Sequence, residues 1–180
     1  MDAIGEQSLV WFAAEGAVAE PDLCTLVRDH SALLYRVALS LLRNPAEAED
    51  VVQEVFLRVL ERHNELARIV EVRAWLVRIA WNLALDRVRR IRPDQIDEAF
   101  VASLVSANLP ADEALAEARR MRLVFDAIER LPRIERQALL LSAVDELNTA
   151  EIATVLGKTE SSVRSVLFRA RAHLRERLNR

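Results

Sequence analysis

Apolar residues recur at intervals of three and four along most of this chain, the spacing that places them on one face of an α-helix. The first such run extends from Asp22 to about Arg43, where the Asn44-Pro45 pair interrupts it. Asn44 is a favourable N-cap for a following helix, and Pro45 is favourable in the first turn of that helix. The negative charge of Glu47 would interact favourably with the helix dipole. The pattern therefore predicts two consecutive helices. The apolar positions of the first are Leu23, Leu26, Val27, Leu33, Leu34, Val37, Ala38 and Leu41.

The second predicted helix has an apolar face and an acidic face. The predicted inward positions are Val51, Val52, Val55, Phe56, Val59 and Leu60. The predicted outward positions are Asp50, Gln53, Glu54, Leu57 and Glu61. That outward face is acidic with one exposed leucine, and a solvated surface helix has a similar composition.

A third helix is predicted from about Val72 to Ile91, after a polar break around residues 63–68. Its core positions are Leu76, Ile79, Ala80 and Leu83. A second stripe follows steps of three and four residues and aligns aromatic, amide and guanidinium groups. Its members are Trp75, Arg78, Asn82, Asp86 and Arg89, extended by Arg87, Arg90 and Arg92. The alternative to a stripe that binds a ligand is a structural one, in which Trp75 belongs mostly to the core and Asp86 orients Arg89 or Arg90.

A stretch without a sustained apolar period separates these helices from a second helical block that begins near Arg119. Its charged residues are all acidic: Asp94, Asp97, Glu98, Asp112, Glu113 and Glu117. The chain from Lys158 to Arg180 is mostly basic. An acidic middle followed by a basic end indicates a flexible linker ahead of a domain that meets phosphate. We therefore predict an N-terminal extension (1–21), a first domain (22–92), a linker (93–118) and a second domain (119–180).

Residues 149–168 have the pattern of a helix, a tight turn and a second helix. Ala153 is small where the helices cross, Gly157 supplies the positive φ of the turn, and Val163 packs back on the first helix. In a DNA-binding helix-turn-helix, the second helix enters the major groove. Its base-facing residues would be Glu160, Ser161, Ser162, Arg164 and Ser165, and its phosphate-facing residues Lys158, Arg169 and Arg171. The alternative is a surface-charged helical hairpin, and the basic run that follows favours DNA binding.

The composition favours an all-α fold, because 52% of the 180 residues are apolar and only three are Gly and five Pro. The single cysteine, Cys24, excludes an internal disulfide, and we expect it to be buried. The three histidines are scattered, so we expect neither a metal site nor a cofactor. No apolar run approaches the roughly 20 residues that span a bilayer. With Asp2 and Glu6 in place of a basic leader, we expect a cytoplasmic protein without membrane insertion.

Two stretches resemble the extracytoplasmic-function sigma factors, a branch of the sigma-70 family. The first contains Ala48-Glu-Asp-Val-Val-Gln-Glu-Val-Phe-Leu-Arg-Val and then Ala74-Trp-Leu-Val-Arg-Ile-Ala-Trp-Asn-Leu-Ala-Leu-Asp-Arg-Val-Arg-Arg. The second runs from Leu131-Pro through Glu151-Ile-Ala, Leu156-Gly and Ser162-Val-Arg-Ser to Arg169-Ala-Arg. The order and separation of these motifs make the resemblance specific, and it covers about 22–92 and 119–178.

The resemblance implies a factor that binds core RNA polymerase and directs it to promoter DNA, without enzymatic activity of its own. Residues 22–92 would form sigma region 2 and residues 119–180 sigma region 4. The implied contacts with the clamp helices of the polymerase β′ subunit are Asp50, Gln53, Glu54 and Leu57. The implied minus-10 residues are Trp75, Arg78, Asn82, Asp86, Arg89 and Arg90, and the helix-turn-helix would bind the minus-35 element. The β flap of polymerase and an anti-sigma factor are further implied partners.

The chain departs from the family pattern at several positions. Trp81 and Val166 stand where family members commonly have basic residues, and Asn148-Thr149 replaces a usual Ser-Tyr pair. Loss of an arginine from a DNA-reading position would weaken minus-35 binding by about 1–3 kcal/mol.

Three other functions fit these residues less well than a sigma factor does. A sigma-like decoy that binds an anti-sigma factor without touching DNA is disfavoured by the basic C-terminal segment and the stripe from Trp75 to Arg90. A dimeric helix-turn-helix repressor or activator leaves the first domain without a role. An enzyme is disfavoured because no nucleophile-base arrangement, paired carboxylates or phosphate loop is present.

Overall fold

The computed structural model describes residues 22–62, 66, 69–90, 110–144 and 147–179, apart from the side chain of Ala111. The predicted N-terminal extension, Arg92 and the linker up to residue 109 lie outside the described residues. The elements formed by the described residues are seven α-helices, which confirms the all-α prediction. They are α1 (Leu23–Leu42), α2 (Pro45–Glu61), α3 (Val72–Arg90), α4 (Ala111–Glu129), α5 (Arg133–Ser142), α6 (Thr149–Leu156) and α7 (Glu160–Leu178).

The junction between α1 and α2 follows from the local sequence. Arg43 ends α1 in the left-handed conformation, with φ of 52°, and its backbone N–H bonds to the carbonyl of Leu39. The Asn44 side chain accepts a hydrogen bond from the backbone N–H of Glu47 at 3.2 Å, and Pro45 occupies the first turn of α2. The predicted N-cap of the second helix is therefore confirmed.

Helices α1, α2 and α3 pack on one another and form the first part of the molecule. Their largest fully buried side chains are Trp81, Leu33, Leu34, Leu76, Val37, Val51, Val55, Val59 and Val77.

Three burial predictions for these helices were wrong. Cys24 is exposed near the start of α1, Val27 is 38% exposed, and Leu60 is 49% exposed. The three-and-four spacing places Val27 and Leu60 close to an apolar face, but the packing of the described helices leaves both of them, and Cys24, exposed to solvent.

Helix α3 buries an unusually broad arc of its surface, because it contacts α1, α2 and also α6 in the second half of the chain. Its buried residues are Ala74, Leu76, Val77, Ala80, Trp81, Leu83 and Ala84. Burial on several sides leaves only a narrow exposed stripe, which fixes the orientation of the polar side chains that it carries.

The second part of the molecule begins earlier than the sequence predicted. Helix α4 starts at Ala111, so the C-terminal end of the predicted linker is helical. Pro110 occupies the N-cap position, and Asp112 and Glu113 lie in the first turn, where carboxylates favour the helix dipole. These acidic residues, which suggested a solvated linker, stabilise the start of a helix instead.

Helices α6 and α7 form the predicted helix-turn-helix. Asn148 and Glu151 make a reciprocal capping box at the start of α6. Gly157 ends α6 with φ of 62°, and the N–H of Lys158 bonds to the Ala153 carbonyl at 2.9 Å. Thr159 then caps α7 through the N–H of Ser162. Helix α5 packs against both α6 and α7, and α4 against α7.

The two parts of the molecule contact each other through α3 with α6 and through α1 with α5. Arg43 Nη2 lies 2.7 Å from Glu129 Oε1, and the guanidinium lies 4.5 Å from the centre of the Phe125 ring. Burial lowers the pKa of Arg43, and Glu129 opposes this shift by stabilising the charged form. A second ion pair joins Arg73 to Glu151 at 2.5 Å.

Replacing Glu129 with Gln is expected to lower the free energy of unfolding by about 2 kcal/mol, because it removes the anionic partner of a buried guanidinium. Chemical denaturation followed by circular dichroism measures this loss. Arg136→Met is the matched control, because it removes the other ion pair of Glu129, at 2.6 Å, and leaves the Arg43 pair intact. Equal stability losses in the two variants would contradict a specific role for the Arg43–Glu129 pair.

Candidate polymerase and DNA surfaces

The outward face of α2 is an apolar patch among polar groups. Asp50 and Gln53 are exposed, and Leu57 is 58% exposed. Leu60, which the sequence placed in the core, lies one turn beyond Leu57 on the same side of the helix. The exposed apolar surface of this face is therefore larger than the sequence predicted.

Glu54 differs from its neighbours on α2, because both of its carboxylate oxygens are engaged. Oε1 accepts a hydrogen bond from Arg58 Nη2 at 3.0 Å, and Oε2 accepts one from Arg87 Nη2 at 3.1 Å. Arg58 lies on α2 itself, whereas Arg87 reaches across from α3. Within the described part of the chain, Glu54 is thus the member of the predicted polymerase face that is tied to another helix.

The predicted polar stripe of α3 lies on the exposed side of that helix. Asn82, Asp86, Arg89 and Arg90 are exposed, and Asp86 Oδ1 accepts from Arg89 Nη1 at 3.2 Å. Trp75 is partly buried and packs against the core, and Arg78 is also partly buried. The stripe thus combines an anchored aromatic edge with four exposed polar side chains.

The exposed face of α7 carries most of the residues predicted to meet DNA. Glu160, Ser161, Arg164, Ser165 and Arg171 are exposed, as is Lys158 in the turn before the helix. Arg164 Nη1 lies 3.1 Å from Glu160 Oε2. Either side chain would therefore exchange this ion pair for a contact with the base that it binds.

Two predicted DNA residues lie at the edge of this face. Ser162 is partly buried, and Arg169 turns toward α5, where its Nε lies 3.7 Å from Glu135 Oε1. Glu135 is buried and also contacts His173 Nδ1 at 2.7 Å. These contacts anchor the middle of α7 to α5 and hold its exposed face in a fixed orientation.

The described residues contain no group of three or more histidine, cysteine, aspartate or glutamate side chains that could hold a metal ion. Within the same part of the chain, no helix is both long and apolar enough to cross a membrane.

Comparison with known families and proteins identifies the two parts. Residues 26–93 match the family model described as Sigma-70 region 2, and residues 121–174 match the one described as Sigma-70, region 4. Over 164 residues the chain is 34% identical to the extracytoplasmic-function sigma factor SigL of Mycobacterium tuberculosis, covering 91% of this chain and 90% of SigL. The chain belongs to the extracytoplasmic-function sigma factors. It is also 29% identical over 154 residues to SigW of Bacillus subtilis, covering 81% of this chain and 82% of SigW.

Two solved structures resemble this sigma factor across most of its length. CnrH, in complex with the cytosolic domain of CnrY, has a TM-score of 0.61 and 26% identity, covering 87% of each chain. The sigma factor RpoE from Bartonella quintana, in complex with the anti-sigma factor NepR, has a TM-score of 0.62 and 19% identity. That match covers 88% of this chain and 97% of RpoE. The predictions of family, fold class and promoter-directing function are thereby confirmed.

The departures from the family pattern have structural explanations in this sigma factor. Trp81 and Val166 are both buried, so each adds apolar contact to the core in place of a basic side chain. The inward direction of Val166 means that the remaining exposed residues of α7 are the ones able to meet DNA. Asn148 replaces serine in a capping role that an amide performs equally well.

Sequence reasoning missed two residues on the exposed face of α7. Phe168 is 76% exposed and lies four residues after Arg164 and seven after Ser161, so the three share a face. Arg175 is exposed one turn beyond Arg171 on that face. The helical spacing that selected Ser161 and Arg164 would have found Phe168, had it been extended past the first turns of the helix.

Proposed function

We propose that this sigma factor initiates transcription through three surfaces, one on each of α2, α3 and α7. The exposed face of α2, with Asp50, Gln53, Glu54 and Leu57, docks on the clamp helices of the polymerase β′ subunit. Its leucine pair, Leu57 and Leu60, supplies apolar contact, and the surrounding acidic groups attract a basic partner. The second domain contacts the β flap. Because polymerase and the chromosome meet in the bacterial cytoplasm, that is where the complex acts.

Helix α3 captures the unpaired minus-10 strand in this proposal. Trp75 and the guanidinium groups of Arg78, Arg89 and Arg90 offer planes for stacking, worth about 1–3 kcal/mol per base. Asn82 and Asp86 offer hydrogen bonds to base edges. The free energy of strand binding offsets the cost of unpairing, so the step requires neither catalytic residues nor ATP hydrolysis.

Helix α7 reads the minus-35 element in the major groove. Glu160, Ser161, Arg164 and Ser165 lie near its N-terminus, where this motif meets base edges. Lys158, Arg169 and Arg171 face the phosphates, and Ser162, which is partly buried, lies at the edge of the base-facing surface. Phe168 is placed to contact a thymine methyl group.

The Phe168 contact is tested by replacing thymine with deoxyuracil in a minus-35 duplex. Wild-type holoenzyme is expected to lose about fivefold in affinity at one position, because the methyl contact is worth about 1 kcal/mol. Phe168→Ala should bind more weakly but no longer distinguish the two bases, as measured by fluorescence anisotropy. Leu178→Ala, exposed at the end of α7, is the control. Equal base discrimination in wild type and Phe168→Ala would exclude the contact.

We further propose that an anti-sigma factor holds the protein inactive. The exposed leucines of α2 require cover when polymerase is absent, because apolar patches on free proteins favour association. Two similar proteins were solved in complexes, CnrH with CnrY and RpoE with an anti-sigma factor. Affinity purification from native lysate should recover a small partner besides polymerase subunits, and recovery of polymerase alone would contradict this proposal.

The exposed stripe of α3 is the main support for the overall proposal. Its side chains are of the types that bind an unpaired strand, and they are held on a rigid helix beside the α2 face. Reconstitution tests it directly. The chain should form a stable complex with core polymerase on gel filtration, and that complex should bind promoter DNA specifically. A chain that bound an anti-sigma factor but neither polymerase nor promoter would be a decoy.

A further inference from the structure

Arg87 links the DNA-binding helix to the polymerase-binding helix. Its Nη1 donates to the backbone carbonyl of Glu47 at 3.1 Å, and its Nη2 donates to Glu54 Oε2 at 3.1 Å. Its Nε lies 3.6 Å from Glu47 Oε2. All three guanidinium nitrogens therefore face α2, and the side chain is only 22% exposed.

The position of Arg87 along α3 gives this link its significance. Arg87 follows Asp86 and precedes Arg89 and Arg90 in the last turns of the helix. Arg87 thus lies in the last turn of α3, whose described residues run from Val72 to Arg90. Because a guanidinium is planar and presents its donors in a fixed fork, Arg87 holds the direction of this turn as well as its distance from α2.

Arg87 binds the carboxylate of Glu54, which lies on the α2 face that we assign to polymerase binding. The same carboxylate is shared by Arg58, through an ion pair within α2, and by Arg87, through an ion pair between helices. A basic group of polymerase that approached Glu54 would meet the carboxylate that anchors the end of α3. The two proposed surfaces therefore meet at one side chain.

We propose that Arg87 is a positioning residue for minus-10 capture, which it supports by fixing the end of α3 on Glu47 and Glu54 rather than by touching DNA. This inference rests on the proposed function of α3. The sequence placed Arg87 among the residues that extend the exposed stripe of α3, and that prediction was wrong. Its guanidinium turns to Glu47 and Glu54 on α2, away from Asn82, Asp86 and Arg89.

The comparison of Arg87→Met with Arg58→Met tests the proposal. Each variant removes one arginine from Glu54, but Arg87 alone bridges two helices. Holoenzymes purified by gel filtration are titrated with a fluorescent single-stranded oligonucleotide carrying the minus-10 sequence. Arg87→Met is expected to weaken strand binding by about tenfold, within the usual range of coupling between sites, and Arg58→Met by less than about twofold. Affinity for a minus-35 duplex should stay unchanged in Arg87→Met.

A double-mutant cycle separates positioning from direct DNA contact. If Arg87 acts through α2, Glu54→Gln weakens strand binding in the purified holoenzyme. Adding Arg87→Met then costs less than it costs in the wild type, because only the contacts with Glu47 remain to be lost. Additive losses would show that Arg87 binds DNA itself and would overturn the proposal, as would equal effects of Arg87→Met and Arg58→Met. If circular dichroism shows that Arg87→Met unfolds at a lower temperature than the wild type, Arg87→Lys replaces it in both comparisons. Arg87→Lys should then show an intermediate loss of affinity for the strand. A wild-type holoenzyme that failed to bind the strand would instead refute the function assigned to α3.

Discussion

Replacing both Asn82 and Arg89 with Ala is expected to weaken capture of the minus-10 strand by about a hundredfold or more. Each side chain offers a base or stacking contact worth about 1–3 kcal/mol, and together they account for about 3 kcal/mol. Both residues are exposed on α3, so their truncation leaves the packing of the first domain intact. Fluorescence anisotropy of a labelled single-stranded oligonucleotide with the reconstituted holoenzyme measures the loss.

The matched control for this double variant is Arg28→Ala. Arg28 is a highly exposed arginine on α1, paired with Asp29 at 3.0 Å and distant in sequence from the α3 stripe. Its replacement should leave strand binding unchanged. Wild-type affinity in the double variant would show that the exposed stripe of α3 does not hold the strand.

Leu57→Lys is expected to weaken binding to core polymerase by about thirtyfold or more. The change removes an apolar contact from the centre of the α2 face, and central interface residues typically contribute about 2 kcal/mol. It also introduces a positive charge opposite a partner that we expect to be basic. Because Leu57 is exposed, the fold itself should tolerate the lysine. Titration of fluorescently labelled sigma factor with core polymerase gives the dissociation constant.

Val70→Lys is the matched control for Leu57→Lys. Val70 is 62% exposed and lies just before α3, outside the proposed polymerase face. The same apolar-to-lysine change should there leave the dissociation constant unchanged. Equal losses from the two substitutions would indicate a general effect of charge instead of a contact at Leu57.

Features governed by neighbouring residues were predictable from the sequence. The Asn44 cap, the turn at Gly157 and the alignment of Asn82, Asp86 and Arg89 each depend on residues within a few positions of one another. Helical geometry converts such spacing directly into a shared face. The two helices that we propose to bind DNA, and their exposed faces, could therefore be predicted without a structure.

Features governed by distant packing were not predictable in the same way. Arg43 pairs with Glu129 across 86 positions, and nothing in the local sequence of either residue indicates the other. Leu60 has the spacing of a core residue, yet it is 49% exposed. The engagement of Glu54 by Arg87 likewise depends on how α3 crosses α2, which periodicity within one helix does not determine.

The central claim, that α3 gives polymerase access to specific promoters, is tested most directly by run-off transcription. Core polymerase with the wild-type chain, supplied with a genomic promoter library, should produce a defined set of transcripts that share minus-10 and minus-35 sequences. The Asn82→Ala, Arg89→Ala variant should bind core polymerase equally well and produce none of them. The same transcripts at undiminished levels from that variant, or no specific transcripts from wild type, would contradict the account.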